Sequence, residues 1–285
     1  MTLDSINTVG VVGAGTMGLG IAQISAMAGY KTLLYDENND ALTKSINIIE
    51  ENLNKGIKKG KVSEKQKIEA LGSIEVVNNI NDLKADIIIE AIIERLVVKQ
   101  QVFVQLEKVN SERTILASNT SSIPITQIAA GLQYPNRFVG MHFFNPAHIM
   151  KLVEVISGVA TDESIAQLIK AFAIKLGKTP VMAKDSSGFI VNRVARHFYL
   201  EGLKLVEEGV ADFESIDRLV QSSGFRMGPF QLMDLIGVDT NYSVTTSMYN
   251  AFHQEAKFRP NRIQKQKVDA GHFGRKSGKG FYSYQ

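Results

Sequence analysis

The sequence predicts an α/β domain with a doubly wound, mostly parallel sheet, followed by an all-α domain. In the first part of the chain, short apolar runs typical of buried strands alternate with helical patterns. A glycine-rich turn, GAGTMG, joins the first apolar run to a helical pattern. Beyond residue 191 the strand-like runs stop and helical patterns follow one another. We therefore predict two domains, residues 1–187 and residues 188–285.

The first apolar run, 8–12, and the glycine turn predict a dinucleotide-binding βαβ unit. Gly13 would allow the tight turn, and Gly15 would let a pyrophosphate approach the backbone. Gly18 would let the helix pack closely on the strand. The turn follows a strand, opens a helix and is followed by a second strand ending in an acid. This context indicates a Rossmann-type domain, which a lone glycine motif would not.

The acid after the second run, Asp36, indicates which dinucleotide is bound. The N–H groups around Thr16 and Met17 would lie at a helix N-terminus, where the helix dipole favours phosphates. Asp36 ends the run 31–35 and should accept a hydrogen bond from a ribose 2′-hydroxyl. The same carboxylate would repel a 2′-phosphate. We therefore predict NAD rather than NADP as the cofactor.

The remaining elements follow in chain order. Residues 40–70 are predicted to be helical, because apolar residues recur at intervals of three and four. Four lysines near its end form either a solvated face or a site for a phosphate-bearing ligand such as coenzyme A. Two later strands lie close enough in sequence to be antiparallel. The lysines are Lys55, Lys58, Lys59 and Lys61; the further strands are 74–77, 85–90, 114–118, 138–142, 152–156 and 179–182, with helices at 95–109 and 164–176.

Composition excludes several classes of function. The chain has 285 residues, of which 44% are apolar and 21% charged, as in globular proteins with an ample core. We expect no membrane span and no secretion signal, and hence a cytoplasmic protein. The absence of cysteine excludes disulfides and thiol nucleophiles, and five scattered histidines predict no metal site. A net charge of +3 suits a small anionic ligand better than nucleic acid.

The segment GMHFFNPAHIMKLVEV, residues 140–155, carries the strongest candidate for catalysis. A lone acid in an apolar run, Glu154, is costly to bury without a partner. A turn through Asn145 and Pro146 could bring Glu154 to the imidazole of His142. A histidine oriented by a buried carboxylate is a usual general base. The alternative is a structural histidine beside a strand acid.

Further polar residues follow other predicted strands or open the second domain. Ser118 could place a hydroxyl beside the nicotinamide and the substrate oxygen, or it could belong to a turn and helix cap. Glu94 and Lys99 could reach the cofactor, although a surface salt bridge explains them equally well. Asn192 opens the first helix of the second domain and either faces the cleft or caps the helix. The tail 271–282 is predicted to be an ordered loop, with a flexible tail as the alternative.

Six motifs, in this order and spacing, resemble the 3-hydroxyacyl-CoA dehydrogenase family, especially its short bacterial 3-hydroxybutyryl-CoA members. The resemblance covers residues 9–284. It implies an N-terminal Rossmann-type domain that binds NAD, a C-terminal helical domain that forms a homodimer, and an acyl-CoA substrate. The motifs are GAGTMG, ASNTSS, GMHFFNPAHIMKLVEV, DSSGFIVNR, MGPFQLMDLIGVD and GRKSGKGFYSY.

The resemblance also implies roles for residues at matching positions. His142 would be the catalytic base for reversible oxidation of an (S)-3-hydroxyacyl-CoA, with Glu154 as its partner. Ser118 and Asn192 would contact substrate or cofactor and orient the reacting oxygen. Asn52 stands where the family has a serine that contacts coenzyme A. The implied NAD positions are Asp36, Glu94, Lys99, Asn145 and Lys276, and the implied coenzyme A contacts are Ser118, Asn52 and Lys59.

Departures from the family pattern leave the substrate open. Arg226 stands where short-chain members often have proline. A similar replacement of the proline appears in relatives that act on 3-hydroxyadipyl-CoA. That ester is therefore an alternative to 3-hydroxybutyryl-CoA. His148 and Ser187 also replace usual prolines. The sequence is consistent as well with an L-gulonate dehydrogenase on the same scaffold and with a non-catalytic NAD-binding structural protein.

Overall fold

The computed structural model describes residues 2–284, which fall into two compact units. The first unit ends at Ser186 and the second begins at Ser187. The first unit is built on one eight-stranded sheet. Its strands are β1 Thr8–Val12, β2 Lys31–Tyr35, β3 Ile74–Val77, β4 Ile87–Glu90, β5 Ile115–Ser118, β6 Phe138–Phe143, β7 Leu152–Ser157 and β8 Thr179–Lys184.

The strand order is β3-β2-β1-β4-β5-β6-β7-β8, which confirms the doubly wound sheet. The first six strands in chain order are parallel to one another. β7 is antiparallel to β6, as the short connection predicted, and β8 is parallel to β7. The central strands β1, β4 and β5 are buried along most of their length, which explains their almost continuous apolar runs.

Helices cover the sheet and complete the core of the first unit. They are α1 Thr16–Met27, α2 Asn39–Lys58, α3 Glu64–Gly72, α4 Leu96–Val109, α5 Ile125–Ala129 and α6 Glu163–Lys175. The single helix predicted over 40–70 is wrong, because the chain turns after Lys58. Gly60 has a φ of +65°, and Ser63 and Gln66 then form a capping box that starts α3.

The second unit is helical, as predicted. Its core is formed by side chains such as Tyr199, Leu203, Phe230 and Met233. Its helices are α7 Val191–Glu207, α8 Phe213–Ser222, α9 Pro229–Ile236, α10 Val238–Ala251 and α11 Arg262–Asp269. No helix within residues 2–284 is long and apolar enough to cross a membrane.

The C-terminal segment is an ordered loop held by two buried acids. Asp234 accepts hydrogen bonds from the backbone of Phe281 and Tyr282 and from the Tyr284 hydroxyl. Asp217 accepts one from the Tyr282 hydroxyl at 2.8 Å. The alternative of a flexible tail is therefore wrong.

Candidate active site

The register of the sheet places polar residues on one face of its carboxyl edge. Glu90 pairs with Val12 on β1 and with Ser118 on β5. Ser118 in turn pairs with Gly140 on β6, two residues before His142. Paired residues, and residues two apart along a strand, point to the same face. Glu90, Ser118 and His142 therefore share one face at the edge where open α/β sheets bind ligands.

The glycine turn has the geometry that the sequence predicted. Gly13 has a φ of +110°, which favours glycine. A Cβ on Gly18 would lie 1.7 Å from the Gly13 carbonyl oxygen, so only glycine permits this packing of α1. Gly15 is the N-cap of α1, and a Cβ there would meet no atom within 4 Å. Backbone N–H groups of the first helical turn can therefore be approached at Gly15 by a ligand.

Asp36 lies directly beside this turn. Its Oδ2 accepts a hydrogen bond from the Ala14 N–H at 2.6 Å, and its Oδ1 accepts one from the Asn38 N–H at 2.8 Å. Each carboxylate oxygen has a second lone pair that a ribose hydroxyl could use. Open space at Gly15, helix N–H groups for a pyrophosphate and a carboxylate for the ribose together fit NAD.

We expect Gly15→Ala to weaken NAD binding by about tenfold or more without destabilising the protein. The added methyl group would meet no protein atom but would occupy the space that a pyrophosphate needs. Isothermal titration with NAD and a thermal melt measure the two effects. Gly72→Ala, where a Cβ also meets nothing within 4 Å, is the matched control and should leave the NAD affinity unchanged. Unchanged affinity in Gly15→Ala would contradict the assignment.

His142 and Glu154 lie directly opposite each other on β6 and β7. The imidazole Nδ1 is 2.7 Å from Glu154 Oε2, and both side chains are buried. The carboxylate favours the tautomer with its proton on Nδ1, which makes Nε2 the basic nitrogen. The Phe144 ring packs against the imidazole with centroids 4.5 Å apart. The pairing predicted from the sequence is thus present, in the arrangement of an oriented general base.

A buried glutamate that sequence reasoning missed, Glu90, supports Ser118. Glu90 is 0% exposed and ends β4. Its Oε1 accepts hydrogen bonds from Lys99 Nζ at 2.6 Å and from the Ile92 N–H at 2.7 Å, while its Oε2 accepts one from Ser118 Oγ at 2.7 Å. Burial raises the pKa of Glu90, and the Lys99 ammonium opposes this rise. Its signal in the sequence was a lone acid within an apolar run, IIIEAII, the same signal that singled out Glu154.

Lys99 and Glu94 extend the network of Glu90 toward the surface. Lys99 is 1% exposed and bridges Glu90 to Glu94 Oε2, which lies 3.2 Å from its Nζ. The salt bridge considered from the sequence is therefore present, with the Lys99 side chain buried and the Glu94 side chain 37% exposed. Burial alone would raise the pKa of Glu94, but Lys99 and the donors Thr120 and Ser121 lower it overall.

Glu94 and Asn119 hold the polar loop after β5. Glu94 Oε1 accepts hydrogen bonds from Thr120 Oγ1 at 2.7 Å and from the Ser121 N–H at 2.8 Å. Asn119 Oδ1 accepts one from the Phe143 N–H at 2.8 Å, which ties the loop to the strand of His142. Pro124 is the N-cap of α5, so neither Ser118 nor Ser121 caps that helix.

Lys178 supports the segment that follows β6. This side chain is buried, and its Nζ donates to the carbonyl oxygens of Ala147 and Met150. Burial, with a smaller effect of Lys151, lowers the pKa of Lys178 to about 8. Burial and the lysines Lys178 and Lys55 also lower the pKa of His148.

The free energy of unfolding should show the low pKa of Lys178. Between pH values of about 8 and 10.5, the unfolded chain binds more protons at Lys178 than the folded chain does. The contribution of Lys178 to the free energy of unfolding therefore rises with pH in this interval. We expect the difference in unfolding free energy between wild type and Lys178→Met to shift in favour of wild type across this interval. Urea denaturation at pH values of about 7.5 and 9.5, on either side of the folded-state pKa, measures it. The exposed Lys175→Met is the control, and an equal shift in that variant would contradict the prediction.

The remaining predicted residues of the first unit lie after β6 and on α2. Asn145 is exposed and precedes the cis peptide bond to Pro146. Asn52 is half-buried in α2, and Lys59 is the exposed C-cap of that helix. A separation of seven residues is about two helical turns, so Asn52 and Lys59 share one side of α2. The coenzyme A role of these two residues and the NAD role of Asn145 stay predictions.

Two predicted residues belong to the second unit. Asn192 is the second residue of α7, whose N-cap is Ile190, so Asn192 does not cap the helix. Lys276 Nζ donates to Asp239 Oδ2 at 2.7 Å. Their roles toward cofactor or substrate stay predictions. Within residues 2–284 no three acidic or histidine side chains are grouped so that they could hold a metal ion.

Comparison with known proteins decides the family. Residues 8–186 match the domain described as "3-hydroxyacyl-CoA dehydrogenase, NAD binding domain", and residues 188–284 match its "C-terminal domain". The chain belongs to the 3-hydroxyacyl-CoA dehydrogenase family. NAD is therefore the cofactor, and the resemblance seen in the motifs is confirmed.

Some relatives of this chain have about the same length as it, and others are longer. It is 45% identical over 283 residues to a 3-hydroxyadipyl-CoA dehydrogenase of Escherichia coli, covering 99% of this chain but only 60% of that protein. It is 39% identical to a 3-hydroxybutyryl-CoA dehydrogenase of Mycobacterium tuberculosis, covering 99% of both chains. A crystal structure of the (S)-3-hydroxybutyryl-CoA dehydrogenase from Ralstonia eutropha is 40% identical, with a TM-score of 0.94 over 99% of this chain and 100% of that one.

Proposed function

We propose that the protein catalyses the reversible, NAD-dependent oxidation of an (S)-3-hydroxyacyl-CoA to the 3-ketoacyl-CoA, with 3-hydroxybutyryl-CoA as its substrate. The buried pair of His142 and Glu154 carries this proposal. It lies at the same sheet edge as the glycine turn, so a proton acceptor and an NAD site share one edge. A structural histidine would not need this placement.

The proposed mechanism gives each side chain of the pair one task. Nε2 of His142 takes the proton of the 3-hydroxyl group during oxidation and returns it to the 3-keto oxygen during reduction. Glu154 stabilises the imidazolium that exists between these events. NAD supplies the hydride acceptor when it is bound. General-base assistance of this kind contributes about 10²–10⁴-fold to the rate.

A second substrate, 3-hydroxyadipyl-CoA, is favoured by one relative and one residue. The E. coli relative bears that name at 45% identity. Arg226, exposed between α8 and α9, supplies a cation of the kind that recognises a second carboxylate.

A survey of kcat/KM over acetoacetyl-CoA, longer 3-ketoacyl-CoA esters and 3-oxoadipyl-CoA separates these substrates. Each ester is tested with NADH and with NADPH, and L-gulonate with NAD is included as the non-ester alternative. We expect acetoacetyl-CoA with NADH to give the highest value. A preference for 3-oxoadipyl-CoA that Arg226→Pro removes would replace the first proposal by the second. Activity with none of these substrates would overturn both.

We also propose that the second unit forms a homodimer. Large apolar side chains on or beside α7 and α8 are exposed, among them Val194, Val210, Leu219 and Phe225. Exposed apolar side chains on the unit that the family resemblance links to dimerisation suit contact with a second copy of the chain. Light scattering should give a dimer for wild type and a monomer for Leu219→Asp. Val159→Asp, on the first unit and 89% exposed in wild type, should remain dimeric.

A further inference from the structure

The hydroxyl of Ser118 is oriented by the ion pair of Glu90 and Lys99. Glu90 Oε1 receives two donors, the Lys99 ammonium and the Ile92 N–H. Glu90 Oε2 receives one donor, the Ser118 hydroxyl at 2.7 Å. The Lys99 ammonium lies 2.6 Å from Glu90 and 3.2 Å from Glu94, and a cation at hydrogen-bond distance favours the ionised form of Glu90.

An ionised Glu90 makes Ser118 a hydrogen-bond acceptor toward any ligand. A serine hydroxyl has one proton, and that proton is used by Glu90. The Thr120 N–H donates to Ser118 Oγ at 3.2 Å, which uses one of its two lone pairs. One lone pair is left for a ligand that donates.

The two candidate partners of Ser118 are the reacting oxygen of the substrate and the nicotinamide of the cofactor. Only one of them can donate a hydrogen bond to an acceptor at this position. The reacting substrate oxygen has a single proton, which the proposed mechanism gives to His142, and the keto oxygen has none. The carboxamide of a nicotinamide ring, in contrast, carries two N–H donors. Ser118 therefore has a suitable donor in the cofactor but not in the reacting oxygen.

We propose that Glu90, held by Lys99, is a positioning residue that keeps the Ser118 hydroxyl as an acceptor for the nicotinamide carboxamide. The proposal rests on the oxidoreductase function proposed above, since it assigns Ser118 to the cofactor and leaves the reacting oxygen to His142 and other groups. It also explains why a charged pair is buried at this sheet edge. A hydroxyl supported only by neutral groups could rotate and donate its proton instead.

Glu90→Gln is the variant that reverses this hydrogen bond. The glutamine oxygen should face the Lys99 ammonium and the Ile92 N–H, because an amide NH₂ group cannot accept from them. The NH₂ group then faces Ser118 and donates to it, which releases the Ser118 proton toward the ligand. The side chain keeps its size, and Lys99 keeps Glu94 as a partner at 3.2 Å.

The test compares the dissociation constants of NAD and of 3-acetylpyridine adenine dinucleotide, an analogue whose acetyl group has no N–H donor. Wild type should bind NAD about tenfold more tightly than the analogue, as expected for one hydrogen bond to a buried acceptor. Glu90→Gln should lose this preference, because it weakens NAD binding and leaves the analogue unaffected or bound more tightly. Ser118→Ala should lose the preference as well, and Glu90→Gln should then have no further effect on the ratio.

Controls separate positioning from general damage. Asp86→Asn changes an acid just before β4, at the opposite end of that strand, where it accepts from the Asn7 and Thr8 N–H groups, and should keep the wild-type ratio. If Glu90→Gln does not fold, Lys99→Met serves instead, because a Glu90 without its cation becomes protonated and donates to Ser118. An equal loss of affinity for both dinucleotides, or no preference in wild type, would overturn the proposal. The ratio of the two dissociation constants is measured without acyl-CoA turnover. It can therefore be interpreted even if the substrate survey shows no activity.

Discussion

Replacing His142 by glutamine is expected to lower kcat for acetoacetyl-CoA reduction by about 10²–10⁴-fold. Glutamine can still donate a hydrogen bond to Glu154, so the buried carboxylate keeps a partner and the fold is preserved. It cannot hold or release a proton at neutral pH, which removes the proposed acid and base. Stopped-flow measurement of NADH oxidation gives the rate.

The affinity for NADH should change by no more than about threefold in this variant, because the dinucleotide site at Gly15 and Asp36 is untouched. His272→Gln, in the C-terminal loop of the second unit, is the matched control and should keep wild-type turnover. Turnover of His142→Gln close to that of wild type would show that His142 is a structural histidine after all.

Local sequence signals were sufficient for most elements of this fold and for its glycine turn. Strands of an α/β sheet are continuous apolar runs because both faces are covered, and this can be seen without knowing the neighbours. The close packing of Gly18 on Gly13 joins residues of one short segment, so its sequence carries its geometry. The pairing of His142 with Glu154 also needed only one short connection.

The network around Ser118 was not predictable in the same way. Glu90 meets Ser118 because β4 and β5 are paired in one register, and a shift by one residue would turn Glu90 to the other face. Lys99 comes from the next helix, where its charge and its position gave no sign that it would be buried. Lys178 supports carbonyl groups 28 and 31 residues away in sequence. Such contacts depend on the tertiary arrangement, and a single sequence does not record it.

Replacing Glu154 by glutamine is expected to lower kcat by about 10²-fold or more, although the new side chain has the same shape. The amide can donate to Nδ1 of His142, which favours the tautomer with its proton on Nε2 and removes the base. An amide also lacks the negative charge that stabilises a buried imidazolium. Stopped-flow rates and NADH titrations should show the loss in kcat with little change in NADH affinity. The exposed Glu163→Gln is the control and should retain wild-type rates.

The double variant distinguishes an indirect role of Glu154 from a direct one. If Glu154 acts only through the imidazole, nothing remains for it to orient once His142 is glutamine. His142→Gln with Glu154→Gln should then turn over as slowly as His142→Gln alone, because residues that act as one unit are not additive. A further loss of the same size as in the single Glu154→Gln variant would mean that Glu154 serves the reaction by a route other than His142. The 2.7 Å contact from Nδ1 to Oε2 is the reason we expect the first result.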